Sequence, residues 1–402
     1  MWKRALTIVI ATALLVVPAG AAVAAPTGAE LQEKLEAVHA AGMPGVFAEV
    51  RDGRRTWTPA AGVIDIRSHR PVRDGLQHRI GSITKTFVAT TVLQLVGEGR
   101  VRLDAPVSRY LPARLVPAEV GDRVTVRMLL NHTSGIGNYT NVLFQNPIED
   151  LVRVGHSRYT PGELVRIGLA APPTPAGVFS YSNTNYILAG LIVEKVTGRS
   201  YRSEVTRRIL RPLKLTRTYF EGDEPLIRGP HMHAYVPWVD GELRDFTRYR
   251  MSWAWAAGEM VSTAEDLNDF YRALLTGKLL KPRLLAAMQT TVPMNPAAPE
   301  AGGYGLGLYS VVLPCGTFWG HDGGTIGHQT VSWHSPDGER QMTYAHSMAF
   351  YQTSPTEPHP IDVAAAEFWL TALCDDGAAV AQTRAAVDPG RVLVDRMAVS
   401  RR

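Results

Sequence analysis

Strand signals stand at both ends of this chain, and helical signals fill its middle. That distribution constrains the fold more than any single motif does. Two sets of short strands far apart in sequence are most simply satisfied by one sheet that both chain ends help to build, with the helices as an insertion. Residues 29–41 place Leu31, Leu35 and Val38 on one helical face. Residues 45–51 and 55–64 then read as strands around the turn Asp52-Gly53. A helix is expected from Ser82 to about Glu98, carrying Phe87, Val88, Val92, Leu93 and Val96 at helical spacing. Another is expected over 184–196, closed by Gly198. Aromatic and β-branched strand signals return over 303–312, 318–321, 328–334 and 340–350. Ser335-Pro336-Asp337-Gly338 supplies a turn between the last two. Residues 360–374 read as a closing helix, and no internal repeat is visible.

The N-terminus reads as an export signal. Lys3 and Arg4 precede an uncharged apolar run over 5–17, and Ala22-Val23-Ala24 offers a cleavage site. A span needs about 20 apolar residues, so this run is short for a membrane anchor. The expectation is a signal peptide over 1–24 and a secreted or extracytoplasmic product with no stable membrane span. Losing Lys3 and Arg4 would lower the formal charge of +5 by two. No dense Lys/Arg run argues for nucleic acid. Cys315 and Cys374 are the only cysteines. In an exported chain they permit one disulfide, the alternative being two separate buried thiols.

Three short segments can do chemistry. In Ser82-Ile83-Thr84-Lys85 the hydroxyl and the amine share a helix face. Serine is a poor nucleophile until a base takes its proton, and a lysine serves where its amine is kept neutral. Among seven lysines, only Lys85 has a serine three residues before it. The alternative is an ordinary helix start with Ser82 as its cap. The second segment, Tyr181-Ser182-Asn183, precedes a helix. Its phenol suits a proton relay and its amide a substrate carbonyl, although Asn183 could equally cap the helix. Tyr139-Thr140-Asn141 has the same spacing without an evident role. The third is Trp319-Gly320-His321-Asp322-Gly323-Gly324-Thr325, where glycines let a substrate approach backbone N–H groups. A glycine-rich hairpin is the plain reading of it.

Taken together and in this order, the segments resemble the penicillin-recognising serine hydrolases, nearest to the D-alanyl-D-alanine carboxypeptidase and class C β-lactamase-like branch. The likeness extends to Leu129-Leu130-Asn131-His132-Thr133-Ser134-Gly135-Ile136, Pro175-Ala176-Gly177, Ala257-Gly258 and Gly303-Tyr304-Gly305-Leu306-Gly307-Leu308, and covers about residues 30 to 375. It implies an α/β (α+β) fold of the β-lactamase/transpeptidase type. An antiparallel sheet flanked by helices would come from 28–80 and 256–375, with an all-helical domain over 81–255 and a loose tail over 376–402. Ser82 matches the acylated nucleophile, Lys85 its base, Tyr181 the proton relay, Asn183 the substrate-holding amide, and His321 the strand Lys/His. The N–H groups of Ser82 and Gly324 match the oxyanion hole. Cys315 and Cys374 stand where some secreted carboxypeptidases carry a disulfide. The family implies no cofactor or metal. Its substrates would be a small peptide, a β-lactam or an ester, with cell-wall peptidoglycan as a natural partner.

The departures bear on substrate. The family commonly has a hydroxyl residue after the Lys/His, which helps to bind a substrate carboxylate. Here Asp322 follows, then Gly323 and Gly324, and Tyr309 stands where some carboxypeptidases have arginine. A carboxylate beside a carboxylate costs energy. An esterase or peptidase acting on neutral substrates is therefore kept beside the carboxypeptidase reading, and a catalytically idle peptidoglycan-binding module is the non-enzymatic alternative. His231-Met232-His233 lacks a third metal ligand, and Gly155-His156-Ser157-Arg158 lacks the last glycine of a nucleophile elbow. Trp253 and Trp255 are expected in the core.

Overall fold

A computed structural model describes residues 26–354 and 357–374. The export segment and the tail expected at 376–402 lie outside the described residues.

The first helix, α1 (Gly28–Ala40), buries Leu31, Leu35 and Val38 and is capped by the Thr27 hydroxyl. Strand β1 (Gly45–Asp52) follows. The next strand signal is divided into Arg55–Trp57 and Ala60–Asp65, with Thr58-Pro59 between them. Pro59 has no N–H to give a ladder, which accounts for the break. After the short pieces Val292–Pro293 and Gly303–Tyr304, four longer strands return late: β2 (Tyr309–Leu313), β3 (Gly316–Gly324), β4 (Gln329–His334) and β5 (Arg340–His346). They pair in the antiparallel order β2-β3-β4-β5-β1 inside a ten-stranded sheet. The join between the chain ends is the β1–β5 ladder, running from Val46 opposite His346 to Asp52 opposite Arg340.

Strand β3 is longer than its apolar pattern, because ladders on both sides hold its glycine end. Gly320 pairs with Tyr309 on β2 and with Trp333 on β4, and the β4 ladder continues to Gly324 opposite Gln329. Pairing here overrides the weak strand preference of glycine.

The sheet is covered on both faces. On one lie α1 and the closing helix α5 (Pro360–Leu373), whose Phe368 and Trp369 pack with Tyr344 and Trp333. On the other lies α4 (Ala264–Leu275), whose Asn268 bonds Thr343 and Gln341 and whose Tyr271 stacks on His334. Helix α2 (Thr84–Gly97) packs against α4 through stacked Phe87 and Phe270 rings 3.7 Å apart. It is enclosed by α3 (Asn183–Thr197), which ends on left-handed Gly198. The middle of the chain is mainly helical, but not wholly. Tyr219–Phe220 pairs with Met260–Ser262, and Tyr235–Pro237 with Leu243–Asp245. Segments this short carry no readable alternation. Cys315 and Cys374 are joined, with Cα atoms 5.5 Å apart, which ties the β2–β3 turn to the end of α5.

His346 ends β5, and His78 lies buried with its ring 6.4 Å from that of buried His328. Burial lowers His78 and His346 to about 3 and holds His328 well below its ordinary value. The unfolded chain takes up protons below about pH 6.5, whereas the fold excludes them until about pH 3. Stability should therefore be full above pH 6.5 and fall as the pH drops through that window. At about pH 5 the loss is about 2 kcal/mol for each of His78 and His346. Urea midpoints at about pH 7.5 and about pH 5 check this; equal midpoints would contradict it.

Candidate active site

Ser82 sits in a single 3-10 turn, Gly81–Ile83, that feeds directly into α2. The approach to that turn is pinned. Arg79 is fully buried and bonds Glu221 through two nitrogens, at 2.7 and 2.8 Å, as well as the carbonyls of Thr247, Pro225 and Tyr249. Ile80 N–H donates to the Met260 carbonyl. Gly81 has φ +50°, and a Cβ there would lie 2.6 Å from the Gly324 oxygen and 2.8 Å from its nitrogen. A Cβ on Gly323 would lie 1.9 Å from the Ile80 oxygen and 2.8 Å from the Ser82 nitrogen. Only glycine at 81 and 323 lets the end of β3 press against the backbone that carries Ser82. The Ser82 and Gly324 amides are thereby brought into one small space.

Lys85 points into the same space. Its side chain is fully buried, and Nζ donates to Ser82 Oγ at 2.8 Å and to the Ala257 carbonyl at 2.7 Å. That carbonyl is presented by a tight turn, Trp255–Ala257, in which Trp255 has φ +37°. A bulky residue in the left-handed region is uncommon and is found where the surroundings over-determine it. Trp253 and Trp255 are themselves buried, as expected.

Tyr181 lies across Lys85, with Nζ 4.9 Å from its ring centre and 5.6 Å from that of Tyr186. Burial pushes the Tyr186 phenol up, so it stays protonated. Asn183 does not cap α3; Ser182 holds the cap position. The Asn183 amide instead donates to Thr140 Oγ1 at 3.1 Å, so the second Tyr-x-Asn tripeptide is the neighbour of the first.

His321 is fully buried, with its ring 6.5 Å from Tyr181. Its Nδ1–H donates to the Asp322 carbonyl, which leaves Nε2 to accept from the Tyr304 hydroxyl at 2.9 Å. This proton placement is assigned from the hydrogen-bond network. Asp322 is 6% exposed, and its carboxylate stands 3.6 Å from His321 Nδ1. Tyr309 lies beside His321 on the neighbouring strand. It is fully buried, accepts from Trp333 Nε1 at 3.3 Å, and packs its ring 5.2 Å from His321. The strand pairing that sets Tyr309 opposite side-chain-less Gly320 frees the space in which it reaches Trp333. Nothing in the sequence singles out Arg79, and His132 and Tyr304 stand in family-like stretches without a role of their own. His231 and His233 serve locally, bonding the Gly229 carbonyl and Asp245.

A serine–lysine pair on a buried helix start, crossed by a tyrosine and closed by a glycine-rich strand, is the arrangement that defines the penicillin-recognising fold family. Comparison with known proteins places the chain within it. It belongs to the Beta-lactamase family, whose model matches residues 31–366. It has the β-lactamase/transpeptidase-like fold. Among solved structures it resembles a D-stereospecific amidohydrolase from Streptomyces sp., with 41% identity and a TM-score of 0.73, covering 80% of this chain and 95% of that one. It also resembles a D-amino acid amidase from Ochrobactrum anthropi SV3, solved with L-phenylalanine amide. Identity there is 25% and the TM-score 0.73, over 88% of this chain and 98% of that one. A putative penicillin-binding protein, PbpX, of Bacillus subtilis is 26% identical over 67% of this chain and 62% of its own length. Penicillin-binding protein 4* of the same organism is 26% identical over 70% and 63%. The chain thus spans under two thirds of the length of these two relatives. No helix among the described residues is long and apolar enough to cross a membrane.

Proposed function

We propose that this chain is an extracytoplasmic amidohydrolase that forms an acyl-enzyme on Ser82 and prefers amides of D-amino acids whose leaving amine carries no carboxylate. The observation that carries the reaction type is the 2.8 Å Lys85–Ser82 hydrogen bond inside a buried pocket. In this reading neutral Lys85 takes the Ser82 proton as Oγ attacks the amide carbonyl. The Ser82 and Gly324 N–H groups hold the oxyanion. Tyr181 gives its proton to the leaving nitrogen as the C–N bond breaks, and recovers one from Lys85. Water then cleaves the ester: Lys85 takes a proton from the water as it attacks the acyl carbon, and returns it to Ser82 Oγ as the Oγ–acyl bond breaks and the acid leaves. Asn183 steadies the acyl side and His321 borders the leaving-group side. Location outside the cytoplasm is supported by the export-type N-terminus and the Cys315–Cys374 bridge.

The substrate preference is supported by Asp322, an acid beside His321 where related enzymes offer a hydroxyl, and by the likeness to the two D-specific amidases. Two carboxylates a few ångströms apart repel by about 1–4 kcal/mol, roughly fivefold to several hundredfold in binding. D-Aminoacyl amides should therefore exceed matched substrates ending in D-alanine in kcat/KM, and L-aminoacyl amides should be poorer. Asp322→Thr should narrow the first gap by improving the carboxylate substrates. A wild-type preference for the terminal carboxylate would overturn this and restore the carboxypeptidase reading.

A further inference from the structure

His132 lies outside the reaction scheme, yet both flanks of Tyr181 are fastened to it. The Ser180 N–H donates to the His132 carbonyl at 2.8 Å, and the Ser182 N–H donates to its Nδ1 at 3.2 Å. One residue thus grips the backbone immediately before and immediately after Tyr181. The imidazole lies against the Tyr181 ring, centre to centre 4.2 Å, and its centre is 4.8 Å from that of Tyr304, the phenol that bonds His321.

The protonation of this ring follows from its neighbours. The Ser134 hydroxyl donates to Asn185 Oδ1 at 2.7 Å, which turns Asn185 Nδ2 toward His132 Nδ1 at 3.2 Å. Nδ1 therefore accepts from two N–H donors and carries no proton itself. The backbone of His132 is left-handed, φ +59°, in a fully buried residue. Non-glycine residues hold that conformation where surrounding contacts impose it, often at functional sites. The left-handed turn directs the carbonyl and the ring of one residue toward the same short segment.

We propose that His132 is a positioning residue: it fixes the Tyr181 phenol for delivery of a proton to the leaving nitrogen. The proposal deepens the reaction scheme above and rests on its assignment of Tyr181. It makes a distinctive demand. An amide's leaving nitrogen must be protonated, whereas a p-nitrophenolate leaves without a proton. Loosening Tyr181 should therefore slow amides much more than activated esters of the same acyl group.

The test compares kcat/KM for a D-phenylalanine amide and the D-phenylalanine p-nitrophenyl ester. His132→Gly keeps the left-handed backbone without strain and removes both ring and acceptor. It should lower the amide rate about a hundredfold and the ester rate less than about threefold. His132→Asn tolerates the same backbone and retains an acceptor near the Nδ1 position, so its amide loss should be intermediate, about tenfold. It also carries the test should the glycine variant not fold. Tyr181→Phe should show the same amide-selective loss, and adding His132→Gly to it should cost little more. Parallel loss of amide and ester activity, an unchanged amide-to-ester ratio in His132→Asn, or additive losses in the double variant would overturn the proposal. If Tyr181→Phe itself leaves the ratio unchanged, the relay role of Tyr181 fails and this inference with it. If Tyr181→Phe shifts the ratio and the His132 variants do not, only the inference about His132 fails.

Discussion

Ser82→Ala should lower turnover about a millionfold, the loss typical when the nucleophile is removed from residues that act as a unit. The change deletes one oxygen from a half-buried side chain whose bonding partner is Lys85 Nζ. The fold does not depend on it, since Arg79, Gly81 and the end of β3 hold the turn through other atoms. The thermal midpoint should stay close to that of the wild type while hydrolysis disappears. Turnover near the wild-type level in the purified variant would remove Ser82 from the mechanism, and loss of folding would show a structural role that the contacts do not suggest.

The second large effect is expected at Lys85. Arginine keeps a positive charge but cannot give up its proton near neutral pH, so Lys85→Arg separates charge from basicity. If Lys85 is the base, acylation should slow by about ten-thousandfold, the upper range for losing a general base. Arginine is larger, and the pocket is closed by the Ala257 carbonyl and the rings of Tyr181 and Tyr186. Lys85→Gln, which is shorter and neutral, should lose as much. Pre-steady-state acylation by a p-nitrophenyl ester from about pH 6 to about pH 9 checks this, because a base effect persists across the range. Wild-type acylation rates in both variants would leave Lys85 as a structural donor to Ser82 and Ala257.

Much of this site was legible in the sequence for physical reasons. Ser82 and Lys85 lie three apart, and a helix start converts that spacing into a hydrogen bond. The two-ended sheet was legible because alternating, β-branched and aromatic segments must find partners, and β1 found β5. Gly323 and Gly324 were legible as a place of close approach, and Gly81 completes it. What stayed hidden depends on contacts between distant positions. Arg79 and Glu221 form a buried pair across 142 residues, and either alone reads as a surface charge. His132 follows a short helix, and its role arises from a backbone turn and from Ser180 and Ser182, with no periodic pattern to announce it. The reach of the Tyr309 hydroxyl to Trp333 Nε1 is hidden as well, because it depends on the missing side chain of Gly320 on the neighbouring strand. The short strands at 219–220 and 260–262 have no alternation to read and exist because they pair.

In this mechanism the chemistry passes through a covalent bond to Ser82 Oγ. Intact-mass analysis and peptide mapping after exposure to a fluorophosphonate test it directly, in the wild type and in Ser82→Ala. One adduct per chain is expected, located on the peptide that contains Ser82, and no adduct in Ser82→Ala. An adduct on another residue, or amide hydrolysis by a chain that no fluorophosphonate modifies, would contradict it.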